Sequence, residues 1–146
     1  MTRIAARLES LGWTLRSGGA GGADASFEAG CSEPALKEIY LPWKGFNGLE
    51  GPVVDDDAAL REVSMKFHPA WERLTRGGRA LMTRNVAQIL GPKLDSPVEM
   101  VICWTPDGQG GGGTGQAIRI ARSRNIPVFD LFFGLDALGE FMRARK

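Results

Sequence analysis

The sequence predicts an α/β sandwich with a mostly parallel sheet, built as a single domain over residues 1–146. Three observations carry this. Short apolar runs alternate with segments of helical spacing along the whole chain. No linker, repeat or low-complexity stretch divides the 146 residues, a length that suits one domain with a real core. Two glycine-rich stretches each join a predicted strand to a predicted helix. In a parallel sheet such turns lie at the carboxyl ends of strands, where ligands bind.

Each element has a local reason. Ile4, Leu8 and Leu11 recur at helical spacing, and Gly12 supplies a stop. Residues 13–16 read as a short strand, and residues 23–29 as a helix ended by Gly30. Residues 38–41 form a second strand, stopped by Pro42, and residues 43–52 a loop carrying Trp43 and Phe46. One of Asp55, Asp56 and Asp57 caps a helix reaching toward Phe67. Pro69 opens a short helix through Leu74, which Gly77 and Gly78 break. Residues 81–90 are helical and end at Gly91–Pro92. Residues 98–104 form the most apolar strand, predicted to be central. A helix over 114–124, a strand over 126–131 and a helix over 135–144 complete the chain.

The formal net charge is +1, so no whole-chain field calls for nucleic acid or membrane. Arg73, Arg76, Arg79 and Arg84 cluster in sequence, as do Arg119, Arg122 and Arg124. Each cluster is either a local basic patch or a solvated helix face. There are two cysteines and one histidine, with no CxxC, so no metal site and no cofactor is expected. Cys103 reads as a small core residue. No apolar run reaches membrane-spanning length and the amino terminus has no signal-type apolar region, so a cytoplasmic protein is expected.

The first glycine turn is Ser17–Gly18–Gly19–Ala20–Gly21–Gly22–Ala23–Asp24, and the second runs from Gly108 through Gly112, Gly113, Thr114, Gly115 and Gln116. Glycine lets a backbone approach a ligand, and the N–H groups of the following helix then face an anion. Two such turns suggest one nucleotide site built from both halves. Neither is a Walker loop, because no Gly-Lys-Ser/Thr follows. The acidic residue of a dinucleotide fold is also missing: twenty positions past Gly22 lies Pro42. Ser17, Thr114 and Gln116 can hydrogen-bond phosphate or sugar oxygens, or simply shape turns and caps. Asp24 either holds ribose hydroxyls or complements its helix dipole. His68, ahead of Pro69, reads as a capping histidine more readily than as a base. Trp43, Phe46 and Trp104 are candidates to stack on a base, with core packing the alternative for Trp104.

The first turn, Arg84–Asn85, and Gly112–Gly113–Thr114–Gly115–Gln116–Ala117 followed by Ile126–Pro127–Val128–Phe129 resemble the Rossmann-like superfamily of DNA-processing protein A and the LOG phosphoribohydrolases. The likeness is strongest to small phage and prophage proteins of the DNA-processing-protein-A-like kind. Their pattern is met by Leu15 to Asp24, Leu41–Pro42–Trp43, His68–Pro69 and Trp104–Thr105–Pro106–Asp107–Gly108. The resemblance implies a Rossmann-like three-layer sandwich and a homodimer. It also implies a strand and a Gly-Ser-Arg loop ahead of the first helix. This sequence opens at that helix, so the usual first strand is expected to be lacking. LOG enzymes carry a glutamate where this chain has Arg119, and a threonine where it has Gln116, which argues against LOG-type hydrolysis.

The expected function is therefore a nucleotide-binding or DNA-processing accessory protein. Ser17, Gly18, Gly19, Gly21, Gly22, Gly112, Gly113, Thr114 and Gly115 would contact phosphate. Asp24, Asn85, Trp104 and Gln116 would fix sugar or base. Partners would be a nucleotide or nucleotide-sugar. One alternative is a hydrolase of N-glycosidic bonds with Asp24 as its carboxylate. The other is a single-stranded DNA binder using Arg73, Arg76, Arg79 and Arg84.

Overall fold

The alternation of helix and strand read from the sequence is the order the chain adopts. A computed structural model describes residues 1–54 and 57–145. The helices are α1 (Thr2–Glu9), α2 (Ala23–Glu28), α3 (Ala58–Phe67), α4 (Arg76–Leu90), α5 (Gly112–Ser123) and α6 (Asp136–Arg143). The strands are β1 (Leu15–Ser17), β2 (Lys37–Ile39), β3 (Val101–Cys103) and β4 (Val128–Asp130). The protein is a mixed α/β fold with small parallel sheets.

The strands form two separate ribbons. β1 pairs with β2 in parallel, Arg16 opposite Glu38, and β3 pairs with β4 in parallel, Ile102 opposite Phe129. The predicted central strand over 98–104 is thus corrected: its paired part is three residues long and has one ladder neighbour. Val98, three residues ahead of the paired part, directs its N–H to the C=O of Ile89 in α4. A bridge between Leu41 and Val53 extends the β2 side past Pro42.

The core forms where α3, α4 and α5 meet. Val86, Ala87, Ile120 and Ala121 lose all solvent contact there, and Leu60, Tyr40 and Val54 close the cluster. Small residues at Ala87 and Ala121 let the helices approach closely, so apolar burial carries this junction.

Caps explain most boundaries. Asp57 accepts from the Leu60 N–H at 2.9 Å and starts α3; Asp55 and Asp56 lie outside the described residues. The predicted break at Gly77 and Gly78 does not occur. Thr75 caps α4 by accepting from the Gly78 N–H at 3.1 Å, so both glycines sit in its first turn. There the N–H groups lack helical partners anyway, and the helical penalty of glycine is small against a good cap. The predicted short helix from Pro69 is a single 3-10 turn at Trp71–Arg73. Among the described residues no helix is long and apolar enough to cross a membrane.

Candidate functional site

The two glycine turns meet at one cavity. It has a volume of about 930 Å3, and its lining includes Gly21, Asp24, Arg84, Asn85, Trp104, Gly113 and Thr114. Two consecutive residues of α4 hold the turns together. The Arg84 guanidinium donates to the C=O of Gly18, and Asn85 Nδ2 donates to the C=O of Gly113 at 3.1 Å. A helix position and its neighbour project about 100° apart, so one turn of α4 reaches both halves.

Arg84 is the principal charge of the site. It is buried, and its guanidinium lies 3.7 Å from Asp24 and over the ring of Phe46 at 5.9 Å. Its Nε has no partner among the described residues. Burial pulls the guanidinium below its ordinary value, and the charges of Asp24 and Glu28 oppose this. Arginine nevertheless keeps its proton in a protein.

The first turn is organised from within. Ser17 Oγ donates to Glu28, and the same Glu28 oxygen accepts from the Gly19 N–H at 3.0 Å. Asp24 accepts from the Ala20 N–H at 3.2 Å. Two carboxylates of the chain therefore stand where a phosphate was expected. Gly18 and Gly19 are buried, and a Cβ on Gly19 would lie 2.6 Å from Leu49, so packing accounts for that glycine. Gly21 and Gly22 are exposed, and of the two Gly21 lines the cavity. Nothing in the sequence pattern marked Glu28; only its position one turn past Asp24, with Asp24, Phe27 and Glu28 on neighbouring faces of α2, could have.

The second turn is open. α5 starts at Gly112 with no side-chain cap, and Gly111 and Gly112 are exposed. Thr114 lines the cavity half-buried. The first amides of a 12-residue helix, α5, thus lack a helical partner. Gly115 is required by packing, since a Cβ there would lie 1.7 Å from the C=O oxygen of Gly110.

Several expected ligand contacts change role. Gln116 is fully buried, donates to Ser64 O and Oγ at 3.2 and 2.8 Å, and accepts from Asn85 at 3.2 Å. It bridges α3, α4 and α5 and does not face the cavity. The expected arginine patch is also corrected. Arg73 and Arg76 are exposed, Arg79 folds over Trp71 at 5.6 Å beside Glu72, and Arg84 turns inward. Positions 76 and 84 differ by eight residues, but 84 belongs to the buried stripe of α4. Arg119 donates to the C=O of Phe67 at 2.9 Å, away from the cavity. His68 Nδ1 accepts from the Ala70 N–H at 3.2 Å, as a capping residue does. Trp104 is 48% exposed, so the core reading of that residue fails. Trp43 and Phe46 pack edge to face at 5.0 Å outside the cavity lining.

One further group fixes the chain just past β3, next to the lining residue Trp104. Asp130, at the end of β4, accepts from the N–H and Oγ of Thr105 and from the Phe132 N–H. Burial raises its pKa, but these hydrogen bonds together outweigh that and hold it below its ordinary 3.8. A folded value below the unfolded one means the stabilisation is full above the unfolded value and drains as pH falls through the folded one. Asp130→Asn should therefore lower Tm near neutral pH, and the gap to the parent should close on acidification below about pH 4. Thermal melts across pH 2 to 7 check this; a gap constant with pH would remove the carboxylate from the argument. Cys103, beside Asp130, is buried and its thiol is pushed up to about 11, so it is unreactive at neutral pH. Among the described residues no cluster of His, Cys, Asp and Glu is placed to hold a metal.

No protein-family model matches this chain, and no curated protein or solved structure is similar enough to place it in a family.

Proposed function

We propose that the chain is a Rossmann-like module that binds a nucleotide or nucleotide-sugar, in a DNA-processing accessory role of phage or prophage type. One observation carries the binding reading: both glycine turns line a single cavity that also holds a buried arginine and the uncapped amino-terminal end of α5. In this reading the phosphate lies on the α5 end, at Gly112, Gly113 and Thr114. Trp104, half-exposed at the end of β3, offers a face to the base. The first turn supplies shape rather than phosphate contacts, because Glu28 and Asp24 already hold its amides.

The hydrolase alternative is disfavoured. Asp24 is the available carboxylate, yet it accepts from Ala20 and sits beside Arg84. Both contacts fall on Oδ2, so this carboxylate is already engaged within the chain. No release of free base from nucleoside monophosphates is expected in a chromatographic assay; turnover lost in Asp24→Asn would reverse that. A single-stranded DNA site is disfavoured by the scattering of the four arginines.

Thr114→Glu tests the binding reading. A carboxylate in the first turn of a helix stabilises it by about 0.3–1 kcal/mol, so the fold should not lose stability. The same charge repels a phosphate, so affinity for nucleoside monophosphates and nucleotide-sugars should fall at least about tenfold. Calorimetry with the parent and the variant is the measurement. Equal affinity in both, or no binding by the parent, would take the phosphate away from α5.

A further inference from the structure

Ser64 of α3, Gln116 of α5 and Asn85 of α4 form one buried polar chain that ends on the second glycine turn. Two main-chain carbonyls fix the direction of its hydrogen bonds. The Ser64 C=O can only accept, so Gln116 presents Nε2 to it, at 3.2 Å. The second Nε2 hydrogen goes to Ser64 Oγ at 2.8 Å. Gln116 is left with Oε1 toward α4, where it accepts from Asn85 Nδ2 at 3.2 Å. The same Nδ2 donates to the C=O of Gly113 at 3.1 Å, the second acceptor-only partner. Turning either amide over would set oxygen against oxygen in a place poor in water, which is costly.

Asn85 has therefore spent both of its donors. A side-chain amide carries two N–H groups and one oxygen with two lone pairs. What remains is Oδ1. Among the described residues it accepts nothing, and it is not one of the atoms sealed from solvent without a partner. Asn85 is 7% exposed and lines the cavity, so this oxygen opens toward the cavity.

We propose that Asn85 Oδ1 accepts from a ribose hydroxyl and thereby selects ribonucleotides over nucleotides that lack the sugar hydroxyls. The inference rests on the nucleotide reading of the second turn. A phosphate is the wrong partner for Oδ1, since it brings acceptors and negative charge to an atom with nothing to donate. Asn85 is tied to Gly113, one of the residues at the phosphate end of α5, so a group on Oδ1 lies beside the phosphate position. In a nucleotide the sugar adjoins the phosphate, and the base lies one ring further on, toward Trp104. Gln116 and Ser64 act through Asn85 as positioning residues: they keep its oxygen, rather than its nitrogen, on the ligand side. A site built to pair with a hydroxyl rejects the analogue without it, because its own buried acceptor is then stranded.

The experiment is calorimetry of the full chain with AMP, GMP, CMP and UMP and with the 2′,3′-dideoxy form of each. The tightest ribonucleotide should bind at least about tenfold better than its dideoxy form. Asn85→Leu should bring that ratio to within about twofold of one. Loss of the Gly113 anchor alone would weaken both nucleotides alike and leave the ratio, so the ratio separates recognition from a structural role. A second measurement needs no variant. In NMR of the parent, the Asn85 Cγ resonance should move downfield with the ribonucleotide and stay in place with the dideoxy form, while both Nδ2 protons keep their slow exchange. Equal affinity for the two forms, with Thr114→Glu still weakening both, would keep the phosphate on α5 and overturn ribose selection. Equal affinity for the two forms with CMP preferred over UMP would give Oδ1 to a base amine, and overturns it as well. Binding of none of the eight nucleotides would remove the nucleotide reading, and this inference with it.

Discussion

Gly115→Ala is expected to destabilise the protein by more than about 3 kcal/mol. In an exposed helix this change gains up to about 1 kcal/mol from helix propensity. Here the added Cβ would lie 1.7 Å from the Gly110 oxygen and 2.7 Å from its carbonyl carbon. Both are main-chain atoms, so no rotamer relieves the contact. Either the turn preceding α5 must move, or α5 must tilt, and α5 carries the fully buried Ile120 and Ala121. Close packing makes such a tilt expensive. Gly111→Ala is the control: its φ is −77°, and a Cβ there meets nothing within 4 Å. It should stay within about 0.5 kcal/mol of the parent. Denaturant unfolding of the three proteins reads the difference. A Gly115→Ala protein as stable as the parent would show that the turn is free to relax, and would remove packing as the reason for that glycine.

The contrast between Gly115 and Gly77 shows what was legible in the sequence. Periodicity and caps act within one or two turns of chain, and they located the six α-helices, a cap for α3 among Asp55, Asp56 and Asp57, and the end of α4 at Gly91, although α4 begins at Arg76 rather than at 81. Gly77 and Gly78 misled because a breaker and a capped first turn look alike until the Thr75 hydroxyl is seen on the Gly78 N–H. The apolar run over 98–104 implied a central strand, but a ladder needs neighbours, and β3 has one. The site divided in the same way. That the glycine turns join strand to helix is local and was readable. That Glu28 holds the Gly19 amide, nine residues away, and that Gln116 reaches Ser64 across 52 residues, is tertiary. A glutamine two residues past a threonine in a glycine turn carries no mark of which side of the helix it will face. Arg84 was grouped with its sequence neighbours for the same reason, although Val86 and Ala87 beside it already placed that stretch of α4 in the core.

Arg84→Met is expected to cost about 3 kcal/mol in stability, far more than the roughly 0.5 kcal/mol typical of a surface arginine. Methionine keeps much of the apolar stem and fills the space. What it removes is the donor on the Gly18 C=O and the positive charge beside Asp24. The Gly18 carbonyl is buried, and an unpaired buried carbonyl costs about 1–3 kcal/mol. Asp24 and Glu28 then face each other's charge without the cation that both support. Asp24→Asn should repair part of the damage by taking away one of those charges while keeping an acceptor for the Ala20 N–H. The double variant should therefore be more stable than the sum of the two single losses predicts, by more than about 1 kcal/mol. Arg84→Lys should fall between parent and methionine, since an ammonium keeps the charge but ends short of the Nη1 position, the one nitrogen that meets both Gly18 and Asp24. Urea unfolding of the parent, the two single variants and the double variant gives the coupling directly. A coupling near zero, with Arg84→Met close to the parent, would mean that the buried guanidinium does not hold the first turn, and would return Arg84 to the exposed basic face that its sequence neighbours suggest.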